Sequence, residues 1–338
     1  NLFFSPFSLQ TSLTMMLPGA TDDTYVQLTK LLGQENRPLE EVLELYKTLI
    51  DNLYEVDPST EFRSANGMFT DKEIVLKDTF VKTASDCFSA GLETVDFSKA
   101  SAAKETINRW ASANTGKKIS KLVDDIAYNT KIILVNALYF NGKWENPFDQ
   151  SKTAKGDFHA IDGSTSKVNF MNQTLTCGAF STEDCIVVTL PYGNGAFEMN
   201  LILPDEGVEF NSFVSSLSYE KLTTDVIYGQ CEVSLSLPKF SEESSCDLIT
   251  ILGKMGLTDK THWAKMADRS DLFLSRIVQK ARIDVTEKGT EAAAATEAEF
   301  LSYGMLKDRF AFTLDRPFLY TITERSTGTV LFMGAKVK

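Results

Sequence analysis

The two histidines, His159 and His262, are the first candidates for acid–base or nucleophilic catalysis. A Ser-His-Asp triad needs a histidine that a carboxylate orients, and Asp157 stands two residues before His159. The sequence contains no HExxH, GxSxG, P-loop or GxGxxG motif, and the lone GxG at 193–195 is typical of a turn. We therefore expect no catalytic residue, and we expect His159 to be exposed or to cap a strand end.

The cysteines are the next candidates, because thiolates bind metals and form disulfides. None forms a CxxC motif and no metal-ligand spacing occurs, so we expect neither a metal nor a cofactor. The odd number and irregular spacing favour free, partly buried thiols at Cys87, Cys177, Cys185, Cys231 and Cys246. Asn172 begins the one glycosylation sequon, which predicts a secreted or cell-surface glycoprotein and leaves a cytoplasmic location open.

The overall composition is that of a folded protein without affinity for polyanions. Hydrophobic residues make up 43% and charged residues 24% of the 338 residues, and the net charge is −12. This charge argues against nucleic acid and anionic membrane surfaces as partners. No apolar run reaches the roughly 18 residues of a membrane span, and no signal peptide is visible. No repeat or linker divides residues 1–338, so we expect one domain and a monomer.

Residues 287–301 form the most unusual segment, an alanine-rich tract with regularly placed charges. Propensity alone favours a helix, because Ala and Glu are good helix formers. Glu291, Glu297 and Glu299 all occupy odd positions, whereas uncharged, mostly small residues occupy the even positions. In a strand this spacing places the charges on one face and the small residues on the other. The tract therefore predicts a strand that could slide between existing neighbours, with a surface helix or linker as the alternative.

The remaining sequence predicts the elements that would hold such a strand. Residues 39–53 show helical spacing of apolar residues, and Ser101 is expected to cap a helix over 102–113. Residues 132–140 are nearly continuously apolar, as in a strand covered on both faces. Further strands are expected over 186–192, 197–203, 230–240 and 272–286, and 318–323 with 329–335 should form a hairpin. A mostly helical first third followed by many strands predicts the α+β class.

Four blocks of the sequence, in the expected order along the chain, resemble the serpin family. Residues 1–8 and 135–144 match two family blocks, and residues 312–322 match the C-terminal signature at every position. Residues 287–296 resemble the hinge of inhibitory serpins nearly residue for residue. The hinge residues are Glu287, Gly289, Thr290, Glu291, Ala292, Ala293, Ala294, Ala295 and Thr296. This resemblance covers the whole chain.

The resemblance implies a serpin fold of three β-sheets with about eight or nine helices. It implies an exposed reactive-centre loop over about 287–308 that a serine protease attacks as substrate. Before the acyl-enzyme hydrolyses, the cleaved loop of a metastable inhibitor enters the main sheet as a new strand, and the protease stays covalently bound. Serpin loop insertion is itself a standard example of strand addition and of released strain. Serpins usually have a further helix before the block at residue 1, which we expect to be missing here.

The family spacing also implies the reactive bond. The residue before that bond lies fourteen positions after Gly289, which gives Tyr303 followed by Gly304. A tyrosine there suits the hydrophobic slot of a chymotrypsin-like protease. Alternatives stay open, because Lys307 or Arg309 would suit trypsin-like enzymes and Leu301 or Met305 would suit elastase-like or chymotrypsin-like ones.

Other positions match residues that control sheet opening in the family. Ser5, Ser8 and Asn136 match a polar cluster beneath the main sheet, with helix capping as the alternative for Ser5 and Ser8. Gln279 stands where many members carry histidine, and Trp144 matches the tryptophan at the point where insertion begins. Lys239 and Glu287 match an ion pair at the base of the loop.

Two rival functions remain. A non-inhibitory serpin, acting as carrier, storage protein or chaperone, would be indicated by bulky, charged or proline residues at the even hinge positions. Thr290, Ala292, Ala294 and Thr296 oppose that interpretation. A hydrolase with an unrecognised site is the second rival.

Overall fold

The computed structural model describes residues 1–218, 229–289 and 309–338. Within these ranges the chain forms seven α-helices and two sheets. The helices are α1 Pro6–Met16, α2 Asp22–Leu31, α3 Leu39–Glu55, α4 Asp78–Phe88, α5 Ala100–Asn114, α6 Phe210–Ser216 and α7 Ile249–Lys254. Single 3₁₀ turns cover Leu17–Gly19 and Gln150–Lys152.

The strands follow one another from the first residues to the last. They are β1 Leu2–Phe4, β2 Glu61–Asp71, β3 Gly91–Val95, β4 Ile132–Asn141, β5 Ala154–His159, β6 Thr165–Ser181, β7 Cys185–Tyr192, β8 Phe197–Pro204, β9 Gly229–Pro238, β10 Phe240–Asp247, β11 Leu274–Val285, β12 Arg309–Thr313, β13 Phe318–Glu324 and β14 Thr329–Lys336. The predicted strands at 132–140, 186–192, 197–203 and 272–286 and the C-terminal hairpin are confirmed.

The five-stranded sheet has the order β10-β11-β4-β2-β3. The nine-stranded sheet has the order β1-β14-β13-β8-β7-β6-β9-β12, with β5 also paired to β6. Strand β6 is 17 residues long and pairs in turn with β5, β9 and β7. Because β6 connects these strands into one network, the described residues form two hydrogen-bonded sheets where the resemblance implied three.

Helix α5 and the segment after it cover the five-stranded sheet. Ile107 of α5 packs with Phe69 of β2, Val135 of β4 and Val278 of β11 in one buried cluster. Helix α1 lies on the opposite side in the main core, where Phe7 and Met16 are almost fully buried. Strand β4 therefore has apolar cover on both faces, as its continuous apolar run predicts.

The first third is mostly helical, as predicted, although strand β2 lies within it. Two other predictions about local structure were wrong. Helix α5 begins earlier than expected, because Lys99 O already accepts the first intrahelical bond from Ala103 N at 3.0 Å, so Ser101 lies inside the helix. The predicted strand 230–240 is two strands, since the chain leaves one sheet after Pro238 and enters the other at Phe240.

Candidate functional site

The central feature of the five-stranded sheet is the parallel pairing of β4 with β11. The next strand after β11 that the structure describes does not continue this sheet, because β12 pairs with β9 in the nine-stranded sheet. A chain that left β11 by a tight turn would run antiparallel to both β11 and β4. The seam between these two strands is therefore the place where one further strand would fit with hydrogen-bond partners on both edges.

Polar side chains connect β4 and β11 on the face of the sheet that contacts α1. Asn136 of β4 and Gln279 of β11 are register partners, and each is 2% exposed. The hydroxyl of Ser8 donates to Asn136 Oδ1 and accepts from Gln279 Nε2 at 3.2 Å. Gln279 Oε1 also accepts from Ser5 N at 2.8 Å, while its Nε2 donates to Ser5 O at 2.9 Å. The start of α1 thus connects the two strands through side-chain hydrogen bonds.

One member of this cluster was missed from the sequence. Asn66 of β2 accepts from Asn136 Nδ2 at 2.6 Å and is 4% exposed. An asparagine in a partly apolar strand was the available signal, because a buried amide needs a partner. The capping alternative is confirmed for Ser5, whose Oγ accepts from Ser8 N at 3.1 Å, and it was wrong for Ser8.

A tight turn closes the upper end of the seam at 286–289. Thr286 N donates to Gly289 O at 3.0 Å and Gly289 N donates to Thr286 O at 3.2 Å. Gly289 has a φ of +125°, and a Cβ there would lie 2.2 Å from Gly142 O. Glycine is required for both reasons. Gly289 also forms an antiparallel bridge with Lys143, two residues beyond the end of β4.

Trp144 holds this turn in place. Its indole Nε1 donates to Thr286 O at 2.9 Å, and its backbone N donates to Lys288 O at 3.2 Å. The indole is stacked on Tyr192 with ring centroids 4.3 Å apart, a partner that was not predicted. The turn is therefore fixed over the top of β4 by side-chain and backbone contacts together.

The predicted ion pair at the base of the loop is formed. Lys239 Nζ lies 2.8 Å from Glu287 Oε2, and Thr153 Oγ1 donates to Glu287 Oε1 at 2.9 Å. Burial alone would raise the pKa of Glu287, but the bonds from Lys239 and Thr153 outweigh it and lower that pKa below its ordinary value. Phe148 N donates to Glu287 O at 2.7 Å, so backbone and side chain of Glu287 are both anchored.

The hinge residues 290–296 and the predicted reactive bond at Tyr303 and Gly304 lie outside the described residues, as do Leu301, Met305 and Lys307. The described chain resumes at Arg309, which opens β12 and lies 2.7 Å from Glu232 of β9. The Arg309 side chain is 72% exposed although its backbone belongs to β12, so the trypsin-like alternative at this position stays open.

The remaining candidate positions lie away from the seam. His159 is exposed at the end of β5 and contacts Thr165, while Asp157 pairs with Lys167, so no triad forms there. None of the five cysteines forms a disulfide. No group of three or more potential metal ligands occurs in the part of the chain that the structure describes. Across the same part, the helices are too short or too polar to cross a bilayer.

Asn172, the predicted glycosylation site, lies within β6. Its Nδ2 donates to Lys152 O at 2.8 Å and to Phe170 O at 3.1 Å, and its Oδ1 accepts from Ser236. A glycan would replace one hydrogen of Nδ2, so one of these hydrogen bonds would be lost.

The parallel pairing of β4 with β11 and the tight turn above it are the features by which this fold is compared with known proteins. The family model described as "Serpin (serine protease inhibitor)" matches residues 1–338. Leukocyte elastase inhibitor of Bos taurus is 33% identical, covering 99% of this chain and 92% of the relative. A serpin-like protein of Methanosarcina acetivorans is 32% identical, covering 99% of this chain and 81% of the relative.

Solved structures show the same likeness. The native state of the thermophilic serpin tengpin superposes with a TM-score of 0.91 at 26% identity, covering 100% of this chain and 88% of that one. Thyroxine-binding globulin in complex with thyroxine gives a TM-score of 0.90 at 30% identity, covering 100% and 92%. The chain belongs to the serpin family.

Proposed function

We propose that this protein inhibits a chymotrypsin-like serine protease as a suicide substrate. The protease would attack the bond between Tyr303 and Gly304 and form an acyl-enzyme with the Tyr303 carbonyl. The freed segment from Thr290 would then enter the seam between β4 and β11, and the attached protease would be carried along. The inhibitor acts as a monomer, with no cofactor and with the covalently bound protease as its partner.

The observation that carries this proposal is the turn at 286–289. It already reverses the chain over the seam, and Gly289 is already bridged to Lys143 on one side and Thr286 on the other. Among the described residues, these two bridges supply the first pair of each new ladder. Insertion would add one hydrogen-bonded pair after another to these two ladders. Because the first pairs already exist, strand pairing does not have to nucleate anew.

The two bridges imply a specific register for the inserted strand. Counting from the Thr286–Gly289 bridge places Thr296 opposite Gln279 of β11. Counting from the Lys143–Gly289 bridge places the same Thr296 opposite Asn136 of β4. Since Asn136 and Gln279 are themselves register partners, both counts agree. The hydroxyl of Thr296 would therefore enter the polar cluster and replace bonds that opening of the seam breaks.

The free energy of insertion would come from hydrogen bonds and from burial of the small even-position face. Each new ladder bond contributes about 0.5–1.5 kcal/mol net. A strand of a dozen residues bonded on both edges could thus release on the order of ten kcal/mol. The uncleaved protein would persist only for kinetic reasons, because its connection to β12 keeps the loop from entering fully.

The test is incubation with chymotrypsin and, in parallel, with trypsin. We expect a complex with chymotrypsin that survives SDS, and a released fragment that begins at Gly304 by mass spectrometry. A fragment beginning at Asp308 would transfer the assignment to trypsin-like enzymes. Cleavage without any stable complex would reject inhibition and favour the carrier function, for which the likeness to thyroxine-binding globulin is the supporting observation. Intact mass of the protein from its natural source tests the predicted glycan on Asn172 and, with it, secretion.

A further inference from the structure

The fold brings two cysteines together that are far apart in sequence. Cys177 of β6 and Cys231 of β9 are direct register partners in an antiparallel pair. Directly opposite residues point to the same face of a sheet, with Cα atoms about 4.5 or 5.5 Å apart. Both separations fall within the range of about 4.4–6.8 Å found across disulfides. The backbone at this pair is therefore already spaced for a disulfide bond.

The other three cysteines have no such partner. Cys185 is opposite Pro204 and Cys246 is opposite Gln279, while Cys87 lies on helix α4. Cys177 and Cys231 are therefore brought together by the register of β6 against β9. Irregular sequence spacing concealed it, because strands β7 and β8 and helix α6 lie between the two partners along the chain.

The two thiols differ in exposure. Cys177 is 4% exposed, whereas Cys231 is half-buried and packs at the edge of the same core. Burial next to Cys231 raises the pKa of the Cys177 thiol to about 12, which makes Cys177 a poor first nucleophile. Cys231 is the thiol that a soluble disulfide can reach, and Cys177 lies beside it.

We propose that Cys177 and Cys231 form a reversible cross-strand disulfide, with a small-molecule disulfide such as oxidised glutathione as the oxidant. The Cys231 thiol loses its proton and attacks one glutathione sulfur, so that the glutathione disulfide breaks and one glutathione thiol leaves. The Cys177 thiol then loses its proton and attacks the Cys231 sulfur of the mixed disulfide, which releases the second glutathione. Two protein thiols are oxidised and one glutathione disulfide is reduced to two thiols.

The position of this pair gives the bond a structural consequence. Glu232, the next residue after Cys231, lies 2.7 Å from Arg309, the first residue of β12. Strand β9 therefore bonds to β6 on one edge and to β12 on the other. A disulfide would link β9 covalently to β6 beside the start of β12 and would raise the melting temperature of the intact protein.

The experiment is a glutathione redox titration of the full, native chain, followed by alkylation of remaining thiols and peptide mapping. We expect a peptide pair cross-linked through Cys177 and Cys231, lighter by two hydrogen atoms, and a fall in free thiols from five to three. Reduction with excess glutathione should restore all of them. Cys246→Ser is the matched control and should give the same cross-link, whereas Cys231→Ser should give none.

Three outcomes would overturn the proposal. The first is full alkylation of both cysteines at every redox ratio. The second is a glutathione adduct on Cys231 that never resolves to the cross-link, and the third is a cross-link that involves any other cysteine. The wild-type map alone distinguishes these results, so it does not depend on whether the variants fold.

Discussion

Asn136 of β4 and Gln279 of β11 lie directly opposite each other in the five-stranded sheet, and the hydroxyl of Ser8 forms hydrogen bonds with both side chains. The seam is therefore closed by a polar bridge in an apolar surrounding. Every partner of this bridge is nearly inaccessible to water, so loss of one member leaves buried donors and acceptors unpaired.

Replacement of Asn136 by leucine should destabilise the intact protein by about 1–3 kcal/mol, because Asn66 and Ser8 each lose a hydrogen-bond partner in a dry site. The measurement is the rate of unfolding in urea, since the intact state is kinetically trapped. Gln10→Leu, on the exposed face of α1, is the control and should leave the rate nearly unchanged. An equally slow unfolding of both variants would show that the polar bridge does not hold the seam.

The ion pair at the loop base should make stability depend on pH. The pKa of Glu287 is lowered from its ordinary value of 4.5, so the pair stabilises the fold above pH 4.5 and loses this contribution as the pH falls further. Lys239→Met should cost about 1 kcal/mol at neutral pH and should flatten the loss on acidification. Urea unfolding between about pH 7 and about pH 3 measures both effects.

Lys167→Met is the matched control for that experiment, because Lys167 pairs with Asp157 on the surface. Its effect should be a few tenths of a kcal/mol at most. If Lys239→Met unfolds with the wild-type pH dependence, Glu287 is not titrating against this lysine.

Gly289→Ala should impair the first step of insertion. The new Cβ would collide with the carbonyl of Gly142, and the residue would be forced into a backbone conformation that costs about 1–3 kcal/mol. We expect more cleaved inhibitor and less SDS-stable complex per protease added. Gly163→Ala is the control for backbone strain without a steric clash, because Gly163 also has a positive φ but has open space around it. Unchanged stoichiometry for Gly289→Ala would mean that the preformed turn does not start insertion.

Thr290→Arg should convert the inhibitor into a substrate. In the register set by the two bridges, residue 290 would enter between Val285 and Gly142, facing the buried side of the sheet. An arginine there would carry a charge into that core, with a penalty of several kcal/mol even after relaxation. The acyl-enzyme would hydrolyse before insertion, and a gel would show cleaved protein without complex.

Glu291→Arg is the control for this prediction, since residue 291 would face the opposite, outer side of the sheet. It should form complex nearly as well as the wild type. Complex formation by Thr290→Arg at the wild-type rate and stoichiometry would contradict the assigned register.

The sequence allowed prediction of the elements with strong periodicity and of the contacts that family motifs carry. Helix α3, strand β4 and the Lys239–Glu287 pair are examples, because each depends on local pattern or on a matching motif. It did not reveal Asn66, Tyr192 or Thr153, whose roles exist only once separate elements meet. The Cys177–Cys231 juxtaposition likewise depends on the register of β6 against β9, which no local pattern specifies.

The boundaries of helices and strands were the other limit of prediction from the sequence, and the errors in them have local causes. Ser101 has the composition of a helix cap, but the backbone of Lys99 closes the first turn earlier. Residues 230–240 have continuous strand propensity, yet Pro238 ends one ladder because it has no N–H to donate. In both places a local backbone feature sets a boundary that composition alone places elsewhere.

The central claim is that the segment after Gly289 enters the seam once its far end is cut. The most direct measurement compares the melting temperature of the intact protein with that of protein nicked within 297–308 by a metalloprotease, which forms no acyl-enzyme. The account predicts a markedly higher melting temperature for the nicked protein, because the freed strand completes both ladders and fills the space between Asn136 and Gln279. An unchanged or lower melting temperature after complete nicking would contradict insertion.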